Sequence, residues 1–159
     1  GSHDLTQLVF YFHQPDILLT VVEDIETSGL AGLLWLDDPL GQHRRSVGVW
    51  FKKEARGRKA MEAATLFRAY CFDFLGLENL WAYSMYWPAI YLFKMMGAET
   101  VAKLPDYGLS GGKPYPVTIL RLTREAYGQA KDTEDAGRSK LSGASPDSDG
   151  DIRADRTTA

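Results

Sequence analysis

Hydrophobic and polar residues alternate from Ser46 to Phe51. From Lys59 onward apolar residues recur at Ala60, Ala63 or Ala64, Phe67, Tyr70 or Cys71 and Phe74. The first spacing is that of a strand and the second that of a helix. Between them lies the basic turn Glu54-Ala55-Arg56-Gly57-Arg58-Lys59. Its glycine frees the backbone where the first unpaired N–H groups of the helix point out of the fold. Those donors and the positive end of the helix macrodipole favour an anion such as phosphate, and Arg56, Arg58 and Lys59 add full charges beside them. A basic turn taken alone also reads as a solvated surface corner.

The same patterning extends in both directions. Leu5, Leu8, Val9 and Phe12 share one helical face, so Asp4 to Phe12 reads as a short helix broken by Gln14-Pro15-Asp16. Ile17 to Ile25 is β-branched and reads as a strand, paired with Leu30 to Leu36 across a turn at Glu26 to Gly29. Asp37 to Gly41 is a loop, and Ser46 to Phe51 completes a three-strand meander. The central helix ends at Gly76, and Leu80 to Met85 forms the next strand, parallel to the one before the helix because a helical crossover returns the chain to the same end of the sheet. Pro88 opens a second helix over Ala89 to Met96, closed by Gly97. Glu99 to Lys103 and Pro116 to Leu122 are strands joined through the glycine- and proline-rich loop Asp106 to Pro114. Thr123 to Tyr127 makes a short terminal turn of helix. The sum is an α/β (α+β) arrangement, a mixed, mostly antiparallel sheet with helices packed on it.

Composition narrows the class. With 159 residues, 45% hydrophobic and 12% aromatic, the chain buries one core, expected over residues 4–128. Gly1-Ser2-His3 reads as a tag remnant, and the polar stretch 129–159 as a disordered tail. A net charge of −3 and a pI near 5.6 leave no general basic field for nucleic acid. No apolar run approaches the length of a membrane span, and the lone Cys71 excludes an internal disulfide and fits a reducing cytoplasm. His13 and His43 have no second histidine or cysteine at ligand spacing, so no metal site is expected. Asp147 to Asp151 has the look of a calcium loop but lacks its closing glutamate, and reads as solvated.

From Ile17 to Tyr127 the chain resembles the GNAT acetyltransferase superfamily and is similar to its ribosomal-protein alanine acetyltransferase branch. The resemblance rests on the order and spacing of Phe51 to Met61, of Trp87-Pro88-Ala89-Ile90 with Phe93 and Met96-Gly97-Ala98, of Pro105-Asp106-Tyr107-Gly108, and of Leu122 to Tyr127. It implies helices on both faces of a sheet that splays between the strand before the basic turn and the strand after the helix, the fourth and fifth of the family order. It also implies acetyl-CoA as acyl donor, with the pantetheine arm on the strand edge Val49 to Phe51 and the pyrophosphate on Arg56, Gly57, Arg58, Lys59, Ala60 and Met61.

The implied reaction is direct attack of a primary amine, on a small molecule or a protein N-terminus, upon the acetyl thioester. It needs oxyanion donors, a base and an acid. Base candidates are Glu23, Asp24, Glu26 and Asp37, and acid candidates are Tyr83, Ser84, Tyr86 and Tyr91, with Ser84 the first to test at a strand end. The plainer readings are solvated hairpin carboxylates and tyrosines packed at the core or rim. Several positions depart from the family. Lys59 stands for its central glycine, Met61 for a small residue, Trp87 for an asparagine, Phe93 for an acid tyrosine and Ala98 for a phenylalanine. A catalytically inactive binding or assembly module of the same fold is therefore the second reading, and a homodimer is compatible with either.

Overall fold

The computed structural model describes residues 17–37 and 44–143. Six strands, β1 (Leu18–Asp24), β2 (Gly29–Asp37), β3 (Arg44–Phe51), β4 (Asn79–Ser84), β5 (Glu99–Ser110) and β6 (Lys113–Thr123), form one sheet in the order β1-β2-β3-β4-β6-β5. All neighbours pair antiparallel except β3 and β4. The expected mixed, mostly antiparallel sheet is thus observed. The helices are α1 (Arg58–Ala69), α2 (Trp87–Met95) and α3 (Arg124–Ser142). The expected helix at Asp4 to Phe12 and loop at Asp37 to Gly41 lie wholly or mostly outside the described residues.

The core sits between the sheet and one layer of helices. Strand alternation turns Leu34 and Leu36 of β2, Val47 of β3, Leu80 and Ala82 of β4, and Leu120 and Leu122 of β6 to the same side, where all are buried. Ala64 and Phe67 from α1 meet Phe93 and Met96, from α2 and its C-cap, over Leu34, Val47, Leu80 and Leu122. After α1 the chain makes a π-turn over Tyr70–Phe74, in which Leu75 N–H donates to the Tyr70 carbonyl. That extra residue turns Cys71 and Phe72 inward, and Phe72 stacks on Tyr127 of α3 at 4.8 Å. Burial pushes the Cys71 thiol up to about 12, which suits a structural role.

Two expectations need correction. The loop expected over Asp106 to Pro114 is mostly strand. β5 and β6 run to a tight turn at Gly111-Gly112, both at positive φ, and irregular pairing between Leu104 and Gly108 takes up Pro105. The terminal turn expected to end at Tyr127, with a disordered stretch from 129, is instead a helix through Ser142.

Polar contacts rather than an apolar stripe hold that helix. Thr123 Oγ1 caps it by accepting from Ala126 N–H. Asp73 accepts from Tyr127 OH at 2.7 Å and from Lys131 at 3.3 Å, and the tyrosine hydroxyl holds the carboxyl below the usual carboxylate range. Arg68, only 3% exposed, donates to the Met96 carbonyl at 2.8 Å and to both oxygens of Glu134 at 2.8 and 3.0 Å. Glu134→Ala leaves that buried guanidinium without its counter-charge and should destabilise the protein by about 3 kcal/mol, read from the urea midpoint. An unchanged midpoint would mean that the distal half of α3 does not dock.

Candidate functional site

β3 and β4 hydrogen-bond through only three pairs, Arg44 with Asn79, Arg45 with Leu80 and Ser46 with Trp81. Beyond them the strands part. β3 stays paired with β2 as far as Phe51 opposite Gly32, and β4 with β6 as far as Ser84 opposite Thr118. Lys52 N–H donates to the Ala31 carbonyl on β2, so by strand alternation Phe51 and Val49 present their N–H and C=O groups to the open side. The result is a backbone edge inside a wedge.

α1 begins at the mouth of this wedge. Its N-cap is Gly57, at φ 94° and ψ −123°, a conformation that L side chains rarely adopt. The first helical bond runs from Met61 N–H to the Gly57 carbonyl, which leaves the N–H groups of Arg58, Lys59 and Ala60 without helical partners. No side chain caps this end and no acidic residue stands in its first turn. The local field there is positive.

A cleft of about 440 Å³ joins the strand edge to the helix tip. Its β3 wall is Val49, Trp50 and Phe51, its floor Arg56, Gly57, Arg58, Ala60 and Met61, and its far wall α2 with the turn before it. Every residue assigned to the donor from the sequence therefore lines one cavity, apart from Lys59. That side chain turns the other way, to Asp24 at 2.5 Å and Glu26 at 3.4 Å on the β1–β2 hairpin. The contact holds the Asp24 carboxyl below its usual range and the Lys59 ammonium above its own.

Arg56 spans the mouth. Its Nε donates to the Phe51 carbonyl at 3.3 Å and a terminal nitrogen donates to Tyr86 OH at 3.1 Å, with the guanidinium 5.8 Å from that ring. It thus links the end of β3 to the turn after β4. Of the cleft positions not singled out from the sequence, Leu92 was within reach, since Pro88 marks where α2 starts and hence which turn faces the wedge.

The acid and base candidates are not brought together. Tyr83 is exposed on β4 opposite Ile119. Ser84 Oγ accepts from Tyr86 N–H at 3.0 Å and so shapes the turn into α2. Asp37 lies opposite Ser46, at the closed end of the wedge. Glu23, Asp24 and Glu26 line an adjoining hollow of about 630 Å³ with Glu54 and Glu62, which shares Arg56 and Arg58 with the cleft. Of the proposed acids, Tyr86 and Tyr91 line the cleft itself, whereas Phe93, which the sequence resemblance set in place of an acid tyrosine, is buried in the core.

Solved structures share this architecture. The spermidine N-acetyltransferase of Vibrio cholerae, in complex with CoA and spermine, matches with a TM-score of 0.66 at 20% identity, over 77% of this chain and 75% of that one. Mutant forms of a spermidine/spermine N-acetyltransferase from the same organism match with a TM-score of 0.67 at 18% identity, over 80% and 81%. This is the GNAT fold. No protein-family model matches the chain, and no curated protein matches it by sequence. The GNAT wedge is thus present, with its defining opening between β3 and β4.

The helix tip depends on Gly57. A Cβ there meets no atom within 4 Å, so the cost of a side chain is purely conformational. Gly57→Ala should cost about 1–2 kcal/mol in chemical denaturation. A neutral result would show that the turn relaxes to another conformation.

Proposed function

We propose that the protein is a CoA-dependent N-acyltransferase that moves an acetyl group from acetyl-CoA to a primary amine. The observation that carries this reading is the continuity of the open β3 edge with the uncapped, positively polarised start of α1. One is suited to an amide-bearing arm and the other to a diphosphate. Arg56, Arg58 and the amides of Arg58 to Ala60 would hold the diphosphate, and the exposed groups of Val49 and Phe51 the arm. Bound there, acetyl-CoA supplies an activated acyl group.

The protein residues orient the donor, exclude water and manage protons. The edge N–H of Val49 faces the wedge and is the donor offered to a developing oxyanion. Tyr91, which lines the cleft from α2, is the acid offered to the leaving sulfur. The amine nitrogen forms a bond to the acyl carbon, the carbon–sulfur bond breaks, and the amine proton leaves to solvent or a base.

The acceptor is the finer part of the reading. The structural neighbours act on spermidine and spermine. The sequence resemblance points instead to a protein N-terminal alanine. A panel containing spermidine, spermine and a peptide with N-terminal alanine, with release of free thiol as readout, separates the two. A reducing cytoplasm as the location belongs to the same reading. It agrees with the buried Cys71 and with the absence, among the described residues, of a helix long and apolar enough to cross a membrane.

Acetyl-CoA at a hundred times its dissociation constant should add about 2.7 kcal/mol of stability in a thermal-shift assay. Absence of any shift at millimolar ligand favours the inactive module. Arg56→Ala should weaken CoA binding about tenfold or more, whereas Lys59→Ala, whose charge is already engaged by Asp24, should change it less than about threefold. Equal losses would overturn the division of labour between these two cations. Tyr91→Phe should lower kcat about a hundredfold with CoA affinity unchanged, and an unaltered kcat would remove Tyr91 as the acid.

A further inference from the structure

The inner end of the cleft is a thin wall. Val49 of β3 and Leu92 of α2 both line the cleft, and both also line a second, separate cavity of about 30 Å³ behind it. That space is lined mostly by apolar side chains from the sheet, α1 and α2, among them Leu80, Phe93 and Met96, with Arg68 as its one charged lining residue. The Arg68 guanidinium is held by the Met96 carbonyl and Glu134, so the side of the cavity next to Leu92 and Val49 is left to apolar groups.

The wall stands where the acyl end of a donor would arrive. A diphosphate on the α1 tip and an amide-bearing arm along the β3 edge place the far end of the ligand beyond Val49, towards the closure of the strands at Ser46 and Trp81. Resting on the acyl-CoA reading, we infer that Leu92, together with Val49, sets the length of the acyl chain accepted from the donor. With the wall in place only a short acyl group fits. With Leu92 truncated, the cleft and the cavity behind it merge, and the space gained next to Val49 is walled mostly by apolar side chains.

The effect has a size. Leucine to alanine removes about three carbons' worth of side chain, and each methylene newly buried there is worth about fourfold in affinity. Cavity relaxation reduces that gain, so the ratio of hexanoyl-CoA to acetyl-CoA affinity should rise at least about tenfold in Leu92→Ala relative to the unaltered protein.

The test is direct binding of CoA, acetyl-CoA, butyryl-CoA and hexanoyl-CoA to the full chain, by calorimetry, for the unaltered protein, Leu92→Ala and Leu92→Val. The expected result is a fall in affinity beyond the short acyl groups in the unaltered protein and a shift toward the longer ones in both variants, smaller in Leu92→Val, with binding of CoA itself retained. Leu92→Val trims the same wall by less, so it decides the matter if Leu92→Ala does not fold. The same chain-length profile in the variants as in the unaltered protein, with CoA still bound, overturns the inference and leaves the proposed function standing. Failure of the unaltered protein to bind CoA overturns both.

Discussion

The whole arrangement depends on where two neighbouring strands stop pairing. After Ser46 and Trp81 the hydrogen bonds between β3 and β4 end, yet neither strand is left loose. β2 holds β3 from outside along its remaining length and β6 does the same for β4, so each arm of the wedge is an edge on one side only. An exposed sheet edge normally invites another chain to pair with it. Here that edge is recessed between α1 and α2, which restricts what can reach it to something narrow with hydrogen-bonding groups of its own.

The basic turn shows how one short stretch divides its charges. Gly57 sets the exit of the chain so that the amides of the first turn of α1 point into the wedge, and no acid in that turn cancels their field. Arg56 faces inward across the mouth while Lys59, three residues on, faces the hairpin carboxylates. Arg56 lies in extended backbone before the helix and Lys59 inside its first turn, so the reversal of the chain at Gly57 sends the two side chains to opposite sides. Lys59 therefore does not crowd the cleft. Its side chain leaves the helix on the side away from it, and Asp24 and Glu26 give the ammonium a reason to stay there.

Much of the fold was legible because it is written in local periodicity. The β3–turn–α1 unit, the proline that opens α2 and the glycines at 76 and 97 are short-range signals, and each appears where its physics places it. The residues that line the cleft around the basic turn were legible for the same reason, being contiguous around one turn. What escaped was tertiary. The distal part of α3 carries no apolar stripe, and it is held by a buried arginine and an aspartate contributed by α1 and the π-turn that follows it. The β5–β6 arm looked like a loop because prolines and glycines dominate it, but a two-glycine turn and irregular pairing absorb them. Acid and base roles were the least legible, since they require that distant residues converge.

That last failure has a physical reading. The ionisable groups on the cleft wall are arginines and tyrosines, and no carboxylate lines it. The hairpin carboxylates gather on the far side of Arg56 and Arg58, in the adjoining hollow, where Lys59 already neutralises part of their charge. A cleft of this composition suits the anionic, amide-bearing donor of the proposed function more closely than it suits a base for the amine. Direct attack by an amine on a thioester asks little covalent chemistry of a protein. Holding the donor in the right geometry and offering donors to its carbonyl supplies much of the acceleration. The residues that gather around the wedge are those that the proposed reaction needs first.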